Sequence, residues 1–504
     1  MSEQLALLPD YLTAHLQLTL LALLCSTAVS LPAGVAVTRV AWLERPVLGA
    51  AAVIQTVPSL ALLAVMVPLL AGLGVQSIGF LPAFIGLTLY GVLPILRNTV
   101  TGIAGVDPAL TEAARAVGMT PWQQLRRVEL PLAMPVIVAG LRTATVWTVG
   151  VATLSTPVGA TSLGNYIFSG LQTRNYASVL VGCAAAAVLA LVLDGLVRCL
   201  VAEGRGGRRR QAAAAAGVAA LYLYAGLTLA AALMPRGDRP VAIGAKTFTE
   251  QYILAHLIGG LVEAETGRAT TQLQSLGSMV VFDALAAGDV DVYVDYSGTL
   301  WANELGRDTA DTDRAAVLSG VADHLRDAYG IVVAATLGFE NAYAVAMRAD
   351  DAAARGLARL SELAPVAPQL TMGGDYEFFS RPEWTAIRDA YGLRLRERRT
   401  MDPALMYQAA AEGAVDLISA FTTDGRITAY NLTLLEDDRG AIPPYDAMVL
   451  VSGRLAREAP DVLAALSRLD GAIDAPAMRR MNLAVDEQGA DPAEVAADFL
   501  LRLP

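Results

Sequence analysis

The chain has 504 residues, 55% of them hydrophobic and 17% charged, with a mean hydropathy of +0.47. Soluble domains usually carry about 25% charged residues, so this composition excludes a disordered chain, a collagen and a small disulfide scaffold. Residues 1–235 hold 13 Arg, no Lys and 8 acidic residues, whereas residues 236–504 hold 23 Arg, one Lys and 40 acidic residues. The net charge of −11 thus divides into +5 on a sparsely charged apolar half and −16 on an acidic half of ordinary soluble composition. So acidic a half argues against a nucleic-acid partner, since phosphates need basic surface.

The N-terminus, MSEQLALLPD, lacks the basic region of a cleaved signal peptide. Six stretches have the apolar length that a bilayer crossing needs, at about 16–36, 48–71, 79–99, 131–153, 177–200 and 212–234. Gln55, Pro58 and Ser59 interrupt the second, and Gly91 and Pro94 the third. Arg39 and Arg45 lie in the first loop, Arg97, Arg115, Arg126 and Arg127 in or beside the third, and Arg205, Arg208, Arg209 and Arg210 in the fifth. The second loop has no arginine and the fourth only Arg174. The odd loops are therefore expected in the cytoplasm, and the acidic half on the outer face. Within the spans, Asp194 and Arg198 stand four residues apart and are expected to pair, with Arg142 a further charge at membrane depth. Cys25, Cys183 and Cys199 all fall in the apolar half and are read as small buried residues. The three histidines, His15, His256 and His324, are too scattered to predict a metal site.

The third loop carries TEAARAVGMTPWQQLRRVELPLAMPVIVAG, residues 111–140. Its Ala-rich start predicts a short helix that Gly118 ends in the left-handed conformation. Thr120 then caps a second helix with Pro121 at its first position. Glu112-Ala113-Ala114, Gly118, Val128 and Leu130-Pro131 together resemble the signature of ABC importer permeases. The resemblance implies a coupling loop, about 100–130, that docks on a cytoplasmic ABC ATPase through Glu112, Ala113, Ala114 and Gly118. It also implies a homodimeric permease. A phosphate-binding loop needs Gly-Lys, and the only lysine, Lys246, follows Ala245, so ATP hydrolysis is assigned to a separate subunit.

Met234 to Pro240 read as a short tether. Beyond it, strands alternate with helices, which predicts an α/β fold of mostly parallel strands, with a helix starting near Phe248 or capped by Thr249. Ligands in such folds sit at strand ends. Four segments there pair aromatics with small polar residues: Tyr296 and Thr299 in DYSGT, Asn341 and Tyr343 in GFENAYAVAM, Phe421, Thr422 and Asp424 in ISAFTTDGRI, and Tyr445 in PPYDAMVLV. Converging rings hold a cation at about 0.5–2 kcal/mol each. A quaternary ammonium, which has no N–H to donate, suits such a cage.

Gly244–Gln251, Gly288–Tyr293 running into Tyr296-Ser297-Gly298-Thr299, Thr423–Ile427 and Pro443-Pro444-Tyr445 resemble the binding proteins of glycine betaine, choline and carnitine importers. The resemblance implies two α/β lobes that close on the ligand, lobe one about 240–344 and 430–504 and lobe two about 345–429. Tyr296, Tyr343, Phe421 and Tyr445 would form the cage, and Gln251 and Thr299 would bind the ligand carboxylate. Thr422 and Asp424 belong to the same ligand-binding set. Phe421 stands where Tyr is often found, so one hydroxyl is lost. The fused architecture also resembles importers of ergothioneine, a trimethylated histidine betaine with an added thione ring. For that ligand, residues 374–384, GDYEFFSRPEW, would supply polar contacts from lobe two.

The expected organisation is an all-α permease of the type I importer kind over 1–210, a last span and tether over 211–236, and a two-lobed binding domain over 237–504. The function expected is import of quaternary ammonium compounds for osmoprotection or nutrition, across an inner membrane that the chain crosses several times. No cofactor, metal or catalytic group is expected. A sensing receptor would need a cytoplasmic output domain, and a tethered enzyme would need acid–base groups in the cleft. Neither is legible.

Overall fold

The computed structural model describes residues 7–172, 175–201, 207–233, 239–307, 313–375, 378–401 and 403–503. Arg174, Arg205, residues 234–238 of the tether, Tyr376 and Glu377 therefore lie outside the described residues. The chain divides into two compact units, 1–237 with 274–287, and 238–273 with 288–504.

The first unit is helical: α1 (Leu8–Arg39), α2 (Ala41–Thr56), α3 (Ser59–Gly72), α4 (Phe80–Ala104), α5 (Pro108–Ala116), α6 (Pro121–Gln124), α7 (Leu130–Ala152), α8 (Gly164–Gln172), α9 (Tyr176–Cys199) and α10 (Gly207–Leu233). Among the described residues, five apolar helices are long enough to cross a bilayer, and α2 with α3 adds a sixth crossing if the pair, bent by 99°, counts as one. The break falls where Gln55, Pro58 and Ser59 predict it. Val57 is extended, the conformation that a following proline favours. The Tyr90 hydroxyl donates to the carbonyl of Val57, and Gln55 Nε2 to Tyr90 O at 3.2 Å, so side chains satisfy backbone that the break frees. By contrast α4 runs unbroken through Gly91 and Pro94.

Asp194 pairs with Arg142, not with Arg198 as the four-residue spacing predicts. Nε and Nη2 of Arg142 reach the two carboxylate oxygens at 2.7 and 2.9 Å, a bidentate fork between α7 and α9. A planar guanidinium on a facing helix matches both oxygens at once, which outweighs proximity along one helix.

From residue 239 on, the order is β1 (Val241–Lys246), α11 (Thr249–Thr266), β2 (Thr270–Leu276), α12 (Ser278–Ala287), which with the end of β2 groups with the first unit, β3 (Val292–Tyr296), α13 (Ser297–Asn303), α14 (Arg314–Tyr329), β4 (Val332–Glu340) and β5 (Tyr343–Arg348). There follow α15 (Ala349–Arg355), β6 (Thr371–Gly374), α16 (Pro382–Tyr391), β7 (Glu397–Thr400), α17 (Pro403–Ala411), β8 (Leu417–Phe421), α18 (Arg426–Ala429), β9 (Leu432–Leu435) and β10 (Asp446–Val451). Four helices close it: α19 (Gly453–Glu458), α20 (Pro460–Ser467), α21 (Ala475–Asp486) and α22 (Pro492–Leu500).

Two five-stranded sheets result, ordered β2-β1-β3-β10-β4 and β7-β6-β8-β5-β9. β1 and β10 are buried along their whole length, as strands covered on both faces are. The fold is α/β, but the strands are more mixed than the helix–strand alternation predicts. β1 and β3 are parallel, as are β6 with β7 and β8. β10 runs antiparallel to β3 and β4, and β5 antiparallel to β8 and β9. The reversed strands flank the segments that carry the chain between the sheets: β4 leads into β5, and β9 returns to β10.

Thr249 opens α11 at its first turn and does not cap it. Its hydroxyl donates instead to Asp486 Oδ1 on α21 at 2.6 Å.

Candidate functional site

The segment expected to couple to an ATPase has the local form its residues predict. α5 ends at Ala116 and Gly118 takes φ +83°, a conformation that disfavours any side chain. Thr120 caps α6 in a capping box with Gln123, and Pro121 stands at the first position. A π-helical turn over Leu125–Glu129 then leads directly into α7, so the second helix of the loop is continuous with a span. Trp122 is exposed on this segment, and Glu129 is buried in a pair with Arg39.

The residues expected at the ligand stand at strand ends of both sheets. Tyr296 closes β3, Tyr343 opens β5, Phe421 closes β8 and Tyr445 precedes β10. Tyr343 and Phe421 are register partners with ring centroids 4.7 Å apart, and Phe378 lies 5.3 Å from Tyr343. The Asn341 N–H donates to the Tyr445 backbone carbonyl at 3.0 Å, which fixes Tyr445 beside the β4–β5 crossing. Its ring lies so close to Gly298 that a Cβ there would meet it at 2.9 Å, so glycine lets the α13 terminus approach. The Tyr296 ring stacks on Phe248 at 6.3 Å.

Each tyrosine hydroxyl meets a buried carboxylate. Tyr296 donates to Glu250 Oε1 at 2.5 Å, Tyr343 to Asp375 Oδ2 at 3.3 Å, and Tyr445 to Glu383 Oε1. Burial and then the neighbouring carboxylate raise all three phenols above their usual range, so they stay protonated donors. Burial also raises Glu250, while hydrogen bonds from Thr423, Tyr296, Asn482 and Asn341 pull the other way. Two fixed cations lie over these rings: the Arg381 guanidinium 5.4 Å from Tyr343 and the Lys246 ammonium 5.7 Å from Tyr296. Lys246 is buried and paired with Asp295, and Arg381 approaches Glu383 at 3.4 Å.

The polar residues expected at the ligand divide differently. Thr299 is half-buried in the first turn of α13. Gln251 is 1% exposed, and its Nε2 donates to Val294 O at 3.0 Å and to the Tyr296 hydroxyl at 3.2 Å. Thr422 donates to Glu340 O at 2.9 Å and accepts from Ala342 N at 3.1 Å, stitching β8 to the crossing. Asp424 accepts from Arg426 N and Nε, each at 2.9 Å, and Arg426 in turn lies 4.0 Å over Tyr407. Helix α21 holds the same loop: Arg479 Nε donates to Thr422 O at 2.6 Å and Asn482 Nδ2 to Thr423 O at 2.8 Å.

Glu250 is not named by the sequence pattern, whereas Asp375, Arg381 and Glu383 lie in the stretch 374–384 that is expected to supply polar contacts, without being named individually. Glu250 sits in the matching stretch Gly244–Gln251, but nothing in its spacing shows that its partners come from three distant segments. Among the described residues no group of three His, Cys, Asp or Glu could hold a metal ion.

Residues 239–502 match the family described as the substrate binding domain of the ABC-type glycine betaine transport system. Residues 28–203 match the binding-protein-dependent transport system inner membrane component. Across both halves, the chain is 30% identical over 463 residues to the ergothioneine transport permease/ergothioneine binding protein EgtU of Helicobacter pylori (strain G27), covering 89% of this chain and 82% of that protein. Its first half is 43% identical over 180 residues to the glycine betaine/carnitine/choline transport system permease protein OpuCB of Bacillus subtilis (strain 168), covering 36% of this chain and 80% of that protein. Its second half is 31% identical over 264 residues to the carnitine transport binding protein OpuCC of Listeria monocytogenes, covering 52% of this chain and 85% of that protein.

Proposed function

The chain belongs to the family of ABC importers for glycine betaine and related quaternary ammonium compounds, as a permease fused to its substrate-binding domain, and from that premise we propose how it works. Tyr296, Tyr343, Phe421 and Tyr445 enclose the trimethylammonium head of the ligand. The observation that carries this reading is the Tyr343–Phe421 ring pair, 4.7 Å apart at the mouth of β5 and β8, with a guanidinium already drawn to the Tyr343 face. Thr299 and the α13 terminus hold the ligand carboxylate. Gln251 contributes there through the Tyr296 hydroxyl that its amide contacts. Thr422 and Asp424 shape the site by fixing the loop behind Phe421. The two lobes, one built on β1–β4 with β10 and the other on β5–β9, close on the ligand about the β4–β5 and β9–β10 crossings.

Transport then requires a separate ABC ATPase that docks at Glu112, Ala113, Ala114 and Gly118. It also requires a second copy of the permease in the lipid bilayer, to complete the pathway between them. The arginine distribution supports a cytoplasmic coupling loop and a binding domain on the outer face of the cell membrane.

A second ligand reading, ergothioneine, is favoured by one observation. The relative that matches across both halves of the chain is an ergothioneine permease and binding protein, whereas OpuCB and OpuCC each match one half. Calorimetry of the full chain in nanodiscs against glycine betaine, choline, carnitine and ergothioneine separates the two. Tightest binding of ergothioneine selects the second reading, and binding of none of the four overturns the ligand class.

A further inference from the structure

We propose that Glu250, Asp375 and Glu383 form a charged layer behind the aromatic cage, and that this layer makes the cage select a fixed positive charge over a neutral group of the same shape. The inference rests on the cage reading above and deepens it. Three of the four proposed cage rings carry a hydroxyl, and all three hydroxyls donate to a carboxylate: Tyr296 to Glu250, Tyr343 to Asp375, Tyr445 to Glu383. The three carboxylates come from α11, from the end of β6 and from α16, so no single segment imposes the pattern. Each residue is more than nine-tenths buried, at 2, 8 and 4% exposure.

Burying a carboxylate is costly unless hydrogen bonds or an opposite charge compensate it. Glu383 has Arg381 beside it, and the nearby Lys246 is matched by Asp295. Glu250 meets neutral donors only among the described residues: the Thr423 side chain, Tyr296 Oη, Asn341 Nδ2 at 3.0 Å and Asn482 Nδ2 at 3.1 Å. Every group aimed at it is a donor, which fits the ionised form. A negative charge thus stands one phenol ring away from the proposed ligand head, without a fixed counter-cation.

Two effects follow from this placement. A phenol that donates to a carboxylate gains electron density on oxygen and, by resonance, on the ring, which deepens the negative face that attracts a cation. The carboxylate charge itself also acts across the ring, and burial weakens its screening. Both effects require charge on the ligand. A tert-butyl group has the shape of trimethylammonium but no charge, and it gains from neither. Phe421, with no hydroxyl and no carboxylate partner, is the internal contrast.

The test measures selectivity on the full chain in nanodiscs. Two probe pairs are titrated, glycine betaine with tert-butylacetate, and choline with neopentylcarbinol, against the wild type and Glu250→Gln, Asp375→Asn and Glu383→Gln. Each substitution is expected to weaken the cationic probe roughly 2- to 30-fold and not to weaken, beyond about twofold, the isostere whose tert-butyl head is uncharged. A purely structural role would lower both alike. Equal loss of both probes, or no loss of either, overturns the charged layer. Tyr343→Ala in parallel keeps the cage reading distinguishable: if it weakens the cation while the carboxamide variants do not, the cage stands and this proposal falls. Should Glu250→Gln fail to fold, Asp375→Asn and Glu383→Gln decide the outcome by the same ratio. A wild type that binds neither cationic probe nor ergothioneine overturns both readings; one that binds ergothioneine alone is titrated with it across the same three variants, and unchanged affinity in all three overturns the charged layer.

Discussion

Tyr343 stands directly opposite Phe421 across β5 and β8, and their rings meet at 4.7 Å, tilted by 38°. The pair is set by strand register, so its geometry does not depend on a loop. Replacing either by Ala is expected to weaken binding of a trimethylammonium ligand by about 0.5–2 kcal/mol, roughly 2- to 30-fold. Tyr343→Phe should cost less, because the ring face remains. Titration and thermal unfolding on the same variants separate the two roles. Unchanged affinity at normal melting temperature in both Ala variants would sink the cage.

Gly118 takes φ +83°, and a Cβ built there would meet nothing within 4 Å. A bulky side chain is therefore strained in backbone but not crowded within the chain. Gly118→Trp should assemble, bind ligand and fail to transport, because the added ring lies where the ATPase is proposed to dock. Uptake at the wild-type rate with normal expression would remove this loop from the coupling role.

Orientation is tested by labelling. In a background lacking Cys25, Cys183 and Cys199, cysteine is placed at the exposed positions Arg209 and Asp389. A membrane-impermeant thiol reagent on whole cells should modify Asp389→Cys and spare Arg209→Cys. The reverse pattern would invert the proposed topology.

Asp486, half-buried at the end of α21, is pushed up to about 6, first by removal from water and then by the charge of Asp424. The Thr249 hydroxyl and Arg426 act in the other direction, and Glu487 adds to the rise. A carboxyl raised in the fold binds its proton more tightly there than in the unfolded chain. Stability should accordingly fall as pH rises from about 4 through about 6, not increase. Asp486→Asn keeps an acceptor for Thr249 and removes the titration. Its melting temperature should exceed the wild type's by more at pH 7 than at pH 4.5. A constant difference across that range would show that Asp486 does not titrate there.

The sequence by itself determined what is local. Apolar runs set the membrane helices, because the bilayer demands length and little else. The proline at 58 set the break between α2 and α3, and Gly118, Thr120 and Pro121 set the turn and cap of the proposed coupling segment, since φ preference and capping act over a few residues. The four aromatics were placed at strand ends by the alternation of strands and helices alone.

Tertiary structure decided the partners. Asp194 could reach Arg198 on its own helix, yet a facing helix brings it the better-matched fork of Arg142, 52 residues away in sequence. Strand direction reversed where the chain crosses between sheets, which no periodicity records. The carboxylates behind the cage, Glu250 46 residues from Tyr296 and Glu383 62 from Tyr445, meet their hydroxyls only once the sheets form. Polar groups removed from water must find partners wherever the fold brings them. Which partners those are is a property of three-dimensional packing, and it is there that the charge around the proposed cage is set.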